Sequence, residues 1–137
     1  MRRRLSDIIN HLIEVREFVT PGKSGKGKYD FVGIVLEKYF NAIPEFRKSE
    51  VEREPRKNGW TISGSWPTSG RHVFDWQLEA WGEPSGDVIV RTIFWDVNGR
   101  QYGDSYRSTV ASSDKAVSHW MRKFAGPTVM KLKKGSI

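Results

Sequence analysis

The chain contains no cysteine. Disulfide staples, thiolate zinc sites and thiol catalysis are excluded with it. Histidine is scarce: His11, His72 and His119 fall in three separate segments. No local pair therefore supplies the converging ligands of a hydrolytic metal site. No apolar run approaches the ~20 residues that a membrane-spanning helix needs. The opening stretch carries arginines as an export signal does, but Asp7, Asn10, His11 and Glu14 interrupt its apolar part. It reads as an amphipathic helix. Internal repeats and low-complexity tracts are missing too. A length of 137 residues suits one domain, 1–137, in an intracellular, reducing setting.

Positive charge is abundant. The net charge is +7, and it is uneven. Residues 1–58 hold 13 Lys and Arg against 9 Asp and Glu, residues 59–111 hold 4 against 6, and residues 112–137 hold 6 against 1. Basic ends around a mildly acidic middle point to a polyanionic partner such as DNA or RNA.

Apolar residues recur at helical spacing from Leu5 to Phe18 and again from Phe31 to about Ile43. Pro21 and Pro44 follow the two runs as stop signals, and Asp30 is placed to cap the second. Residues 45–58 are mixed charge with few apolar side chains and read as an exposed connector. From Gly59 the period becomes two. The runs "WTISGSW", "RHVFDWQLEAW", "DVIVRTIFWDV" and "RQYGDSYRSTV" predict a four-stranded antiparallel meander. Asn98-Gly99 is its strongest hairpin signal. A last helix is capped by Ser113, carries Val117, Trp120, Met121 and Phe124 as its apolar stripe, and ends at Gly126-Pro127. The basic tail 127–137 fits an edge strand or a loose end. The predicted class is α+β: two N-terminal helices, a meander sheet and a C-terminal helix.

A two-residue turn at Asn98-Gly99 would set Trp95 opposite Tyr102 and Arg91 opposite Tyr106. One sheet face then collects Phe74, Trp76, Leu78, Ala80, Val88, Val90 and Phe94, and should receive the helices. The other collects Trp81, Arg91, Trp95, Tyr102 and Tyr106 among charged residues including Asp75, Glu79 and Asp104. Aromatics among charges form a stacking or interface surface.

The segment "TPGKSGKGKYD" tests for a nucleotide-binding loop. Gly22 to Lys28 has the Gly-x4-Gly-Lys spacing, but Tyr29 stands where a small hydroxyl must hold magnesium. The segment also follows a helix, whereas the motif needs a preceding strand. Residues 20–29 read instead as a flexible cationic loop. Lys23, Lys26 and Lys28, with Arg2, Arg3 and Arg4 at one end and Arg122, Lys123, Lys131, Lys133 and Lys134 at the other, form the candidate phosphate contacts. Nothing in the pattern calls for a cofactor or a metal.

The leading expectation is a small nucleic-acid-binding accessory protein, of the kind viruses and mobile elements use, without catalytic residues. A second is a protein-interaction module, oligomeric or inhibitory, working through the aromatic face. A third is a metal-independent ribonuclease. Helices followed by an antiparallel sheet resemble, in architecture only, the barnase/RelE-like ribonucleases. Such chemistry would draw on His72, Arg91, Tyr106 and Arg107, and the two-residue turn places His72 and Arg107 opposite Arg91 and Tyr106.

Overall fold

A computed structural model describes residues 29–68 and 72–135. The helix expected at Leu5–Phe18 and nearly all of the basic loop lie outside the described residues. The described chain runs α1 (Asp30–Ala42), α2 (Pro44–Arg47), β1 (Glu50–Arg56), β2 (Gly59–Trp66), β3 (Phe74–Gly82), β4 (Val88–Trp95), β5 (Gln101–Ser108), α3 (Ser113–Trp120), a π-helical turn (Met121–Ala125) and α4 (Gly126–Gly135). The class is α+β, with one antiparallel meander in the order β1-β2-β3-β4-β5.

The sheet has five strands, and the fifth comes from the expected connector rather than the tail. Val51 is buried, while its neighbours are charged and Pro55 sits in the strand. That composition suits an edge: charge and proline block pairing with a further chain. Pro44 ends one helix and opens the next turn, α2, which delivers Phe46 to the core.

The helices cover one sheet face. Ile62, Phe74, Trp76, Leu78, Ala80, Val88, Val90 and Phe94 are buried there under Val32, Val35, Leu36, Tyr39 and Phe40 of α1 and Trp120, Val129 and Leu132 beyond the sheet. Phe46 stacks on Trp76 with centroids 3.9 Å apart, and the Trp76 indole donates to Ser49 Oγ at 2.8 Å. The alternation in β3 is complete, with every even-numbered residue from Phe74 to Gly82 buried. This face is the one that the sequence pattern assigns to the helices.

The last hairpin departs from its expected register. Phe94 pairs with Tyr102, Val90 with Tyr106 and Ile89 with Arg107. The turn is longer than two residues: Gly99 N–H donates to the Asp96 carbonyl and Asp96 N–H to the Arg100 carbonyl, both at 3.0 Å. Only Gly99 has positive φ, at 82°, so Asn98 keeps an ordinary conformation. The Asp96 carboxylate accepts from the backbone N–H of Asn98 and Arg100, which favours the wider turn. A type I turn followed by a left-handed glycine slips the pairing by one residue, and a one-residue slip turns every β5 side chain over. Tyr102, Asp104 and Tyr106 thus lie on the helix-covered face, and Arg107 on the open one. The β3–β4 pairing sets Trp81 opposite Ile89 and Gln77 opposite Ile93, which keeps the expected faces of both strands.

Gly126-Pro127 does not end the last helix. Buried residues step from Trp120 to Ala125, then to Val129 and Leu132. A five-residue step overshoots one α-turn by about 140° at ~100° per residue. A π turn absorbs the extra residue: Gly126 N–H donates to the Met121 carbonyl, five residues back. A Cβ at position 126 would lie 2.7 Å from that carbonyl oxygen, so glycine is required there. The tail is helical because Val129 and Leu132 regain the core after this correction. Ser113, expected as the cap, is instead the first buried helical residue, accepting from Lys38 Nζ and donating to the Val110 carbonyl, each at 2.8 Å.

Candidate functional site

Two surfaces of opposite charge stand out. From Lys115 to Gly135 the chain has six Lys and Arg and no Asp or Glu. Because the π turn preserves the buried stripe, the residues opposite it also stay aligned. Lys115, His119, Arg122, Lys123, Met130 and Lys134 are exposed along this outer side. At ~1.5 Å per residue the stripe is roughly 30 Å long. Among the described residues Lys115, Arg122, Lys123 and Lys134 have no carboxylate partner. The two remaining lysines fold back on the flanks. Lys131 Nζ lies 5.0 Å from the Tyr102 ring centroid. Lys133 Nζ bonds Glu45 Oε2 at 2.9 Å and sits 5.1 Å from the Trp66 ring.

The expected phosphate contacts therefore divide. Arg122, Lys123, Lys131, Lys133 and Lys134 share one helix, whereas Arg2, Arg3, Arg4, Lys23, Lys26 and Lys28 lie outside the described residues. Sequence reading missed Lys115, though its seven-residue spacing from Arg122 marks the same helix side.

The expected stacking set is not assembled. Trp81, Arg91 and Trp95 are on the open face, but the slipped hairpin carries Tyr102 and Tyr106 to the other. Tyr102 lies beneath Lys131, and Tyr106 meets the His119 ring edge-on at 5.7 Å. Burial, then the neighbouring Asp104 carboxylate, raises the Tyr106 pKa above the usual phenol value. The ribonuclease set is dispersed as well, with Tyr106 separated from Arg91 and Arg107 by the thickness of the sheet.

Register and alternation define the open face in rows: Glu50, Ser65, Asp75, Trp95 and Gln101; Glu52, Ser63, Gln77, Ile93 and Gly103; Glu54, Thr61, Glu79, Arg91 and Ser105; Arg56, Gly59, Trp81, Ile89 and Arg107. Its arginines are matched by acids. Arg91 bonds Glu79 at 2.6 Å, Arg56 approaches Glu54 at 3.6 Å, and Arg107 reaches both Glu83 and Asp87 at 2.8 Å. The hydrogen bond to Asp87, with both carboxylate charges, raises the Arg107 pKa further and keeps it cationic.

At one end of this face a cleft of roughly 640 Å³ is lined by Glu50, Glu52, Ser63, Ser65, Asp75 and Trp95, among others. Asp75 accepts from the Ser65 hydroxyl and contacts His72 Nε2 at 2.8 Å. Among the described residues no group of three His, Asp or Glu is placed to hold a metal, and no helix is long and apolar enough to cross a membrane. Comparison with protein-family models, curated proteins and solved structures finds no match to this chain.

Proposed function

We propose that this chain binds the phosphate backbone of nucleic acid through the outer side of its C-terminal helix. The observation that carries the reading is one-signed charge: a roughly 30 Å helix with Lys115, Arg122, Lys123 and Lys134 exposed and unpaired among the described residues, and no carboxylate between 115 and 135. Cations at this spacing neutralise successive phosphates and release their counterions. They also sit well on their own helix, since Lys133 and Lys134 face the negative end of its dipole. Base stacking is not part of the reading, because Trp81 and Trp95 lie across the sheet among carboxylates that repel phosphate. Backbone contact without base contact gives affinity with little sequence preference.

Fluorescence anisotropy on a labelled DNA duplex, titrated at several salt concentrations, tests the proposal. Each neutralised phosphate contributes about −0.9 to the slope of log K against log salt. Replacing Arg122 and Lys123 by Gln should flatten that slope by about 1.8. Working with the difference removes any contribution from other cations. An unchanged slope in this variant would exclude the helix as the binding surface.

A further inference from the structure

We propose that the open face of the sheet is the docking surface for a cationic, amphipathic segment of a partner protein, its apolar side chains on Trp81, Ile89, Ile93 and Trp95 and its arginine or lysine in the cleft between Glu50, Glu52 and Asp75. None of this depends on the C-terminal helix.

The apolar part of the surface lies in two patches. Trp81 and Ile89 face each other across β3 and β4 at one end, Ile93 and Trp95 lie along β4 at the other, and the Arg91–Glu79 pair stands between them. All four are only half-buried, and the helix residues of the core pack on the opposite face. Aromatic residues next to β-branched ones, rimmed by charge, characterise protein contact surfaces.

The charged half selects the partner. Five carboxylates, Glu50, Glu52, Glu54, Asp75 and Glu79, share this face with Arg56, Arg91 and Arg107. Arg56 and Arg91 hold Glu54 and Glu79, while Arg107 is taken by Glu83 and Asp87 in the β3–β4 loop. Glu50, Glu52 and Asp75 are left without a Lys or Arg partner among the described residues, and these three line the cleft. Glu50 Oε1 is buried there without a hydrogen-bond donor among the described residues. A carboxylate oxygen shielded from water is costly until a donor meets it. The Trp95 indole on the cleft wall attracts a cation through its ring face. Together they fit a guanidinium or ammonium on an apolar stem. The same charges disfavour the other occupants. Nucleic acid is repelled, and a second copy face to face would set one net-acidic surface against another.

The test uses the full chain and a fluorescein-labelled peptide with arginine and leucine at helical spacing, against a control peptide with glutamate for arginine. The arginine peptide should bind and the control should not. Glu50→Gln combined with Glu52→Gln should weaken binding at least tenfold. Ser63→Lys, which adds a cation to the cleft, should do the same from a different position. Arg122→Gln with Lys123→Gln should bind the peptide as the parent does. Equal binding by parent and the two cleft variants would overturn the proposal. So would a photo-crosslinker at position 95, without peptide, that captures either a second copy or residues 1–28 of its own chain, for the surface would then already have its occupant.

Discussion

Deleting Lys123 provides a stringent check on the packing of the C-terminal helix. If Met121–Ala125 is an α-helix with one extra residue, removing one residue restores a regular helix and keeps Trp120, Ala125, Val129 and Leu132 on the same side. At ~100° per residue, Ala125, Val129 and Leu132 then fall at about 40°, 80° and 20° from Trp120, all on one side of the helix. The buried area is retained. What changes is Pro127. In the observed helix the Gly126 N–H reaches five residues back. In a regular α-helix the proline ring would meet the carbonyl four residues before it, at a cost of about 3 kcal/mol. Deletion of Lys123 alone should therefore destabilise by about 3 kcal/mol, roughly 12 °C in Tm for a chain of this size. Adding Pro127→Ala should recover most of it. Thermal unfolding by circular dichroism, with urea titration for the free energies, reads both variants. If the double variant is as unstable as the deletion, packing needs the extra residue and the register argument fails.

Gly126→Ala should destabilise by about 1–3 kcal/mol even though alanine is the better helix former, because its Cβ meets the Met121 carbonyl oxygen; chemical denaturation measures it. In the last hairpin, Gly99→Ala should cost about 1–2 kcal/mol while Asn98→Ala stays within about 0.5, since only Gly99 has positive φ; equal costs would restore the two-residue turn. Trp76→Phe removes the donor to Ser49 and shrinks the stack on Phe46, so a loss of about 2–4 kcal/mol in urea unfolding is expected. Burial, then the nearby Tyr106, pushes the Tyr39 pKa up to about 12 from an ordinary value of 10.0. The unfolded chain loses this proton first, so stability falls as pH rises from about 10 to 12, by about 2–3 kcal/mol from this group. Tyr39→Phe should remove that part of the alkaline loss, and identical pH profiles for parent and variant would refute the assignment.

The sequence pattern was informative where one physical term dominated. Strict alternation from Phe74 to Gly82 identified the core face, because a strand has no other way to bury Phe74, Trp76, Leu78 and Ala80 together. It was silent on β1, where Val51 alone is buried and edge-strand charge resembles connector charge. At Asn98-Gly99 and Gly126-Pro127 local rules pointed one way and tertiary demands another. Asp96 supplies a carboxylate that caps a longer turn, and Val129 and Leu132 supply core contacts that carry the helix past a stop signal. Both differences bear on the site. The first takes Tyr102 and Tyr106 away from the open face. The second carries the helix on to Lys134, in line with Arg122 and Lys123.

Net charge alone would have suggested one basic surface, but the fold sorts the charges. Strands alternate, so a sheet with one buried face must put its polar residues on the other, and the acids of β1 and β3 accumulate there beside Trp81 and Trp95. The C-terminal helix buries only a narrow stripe and can carry cations on everything else. Each surface is acceptable to the protein because the sheet and its core separate them. Were Lys123 and Lys134 on β1 in place of Glu52 and Glu54, they would pair with Asp75 and Glu79 and present no net charge to any partner. The separation is thus the physical basis of both proposals: on the helix a phosphate backbone would meet cations with no carboxylate between residues 115 and 135, and on the sheet a cationic segment would meet carboxylates that, among the described residues, Arg56, Arg91 and Arg107 do not engage.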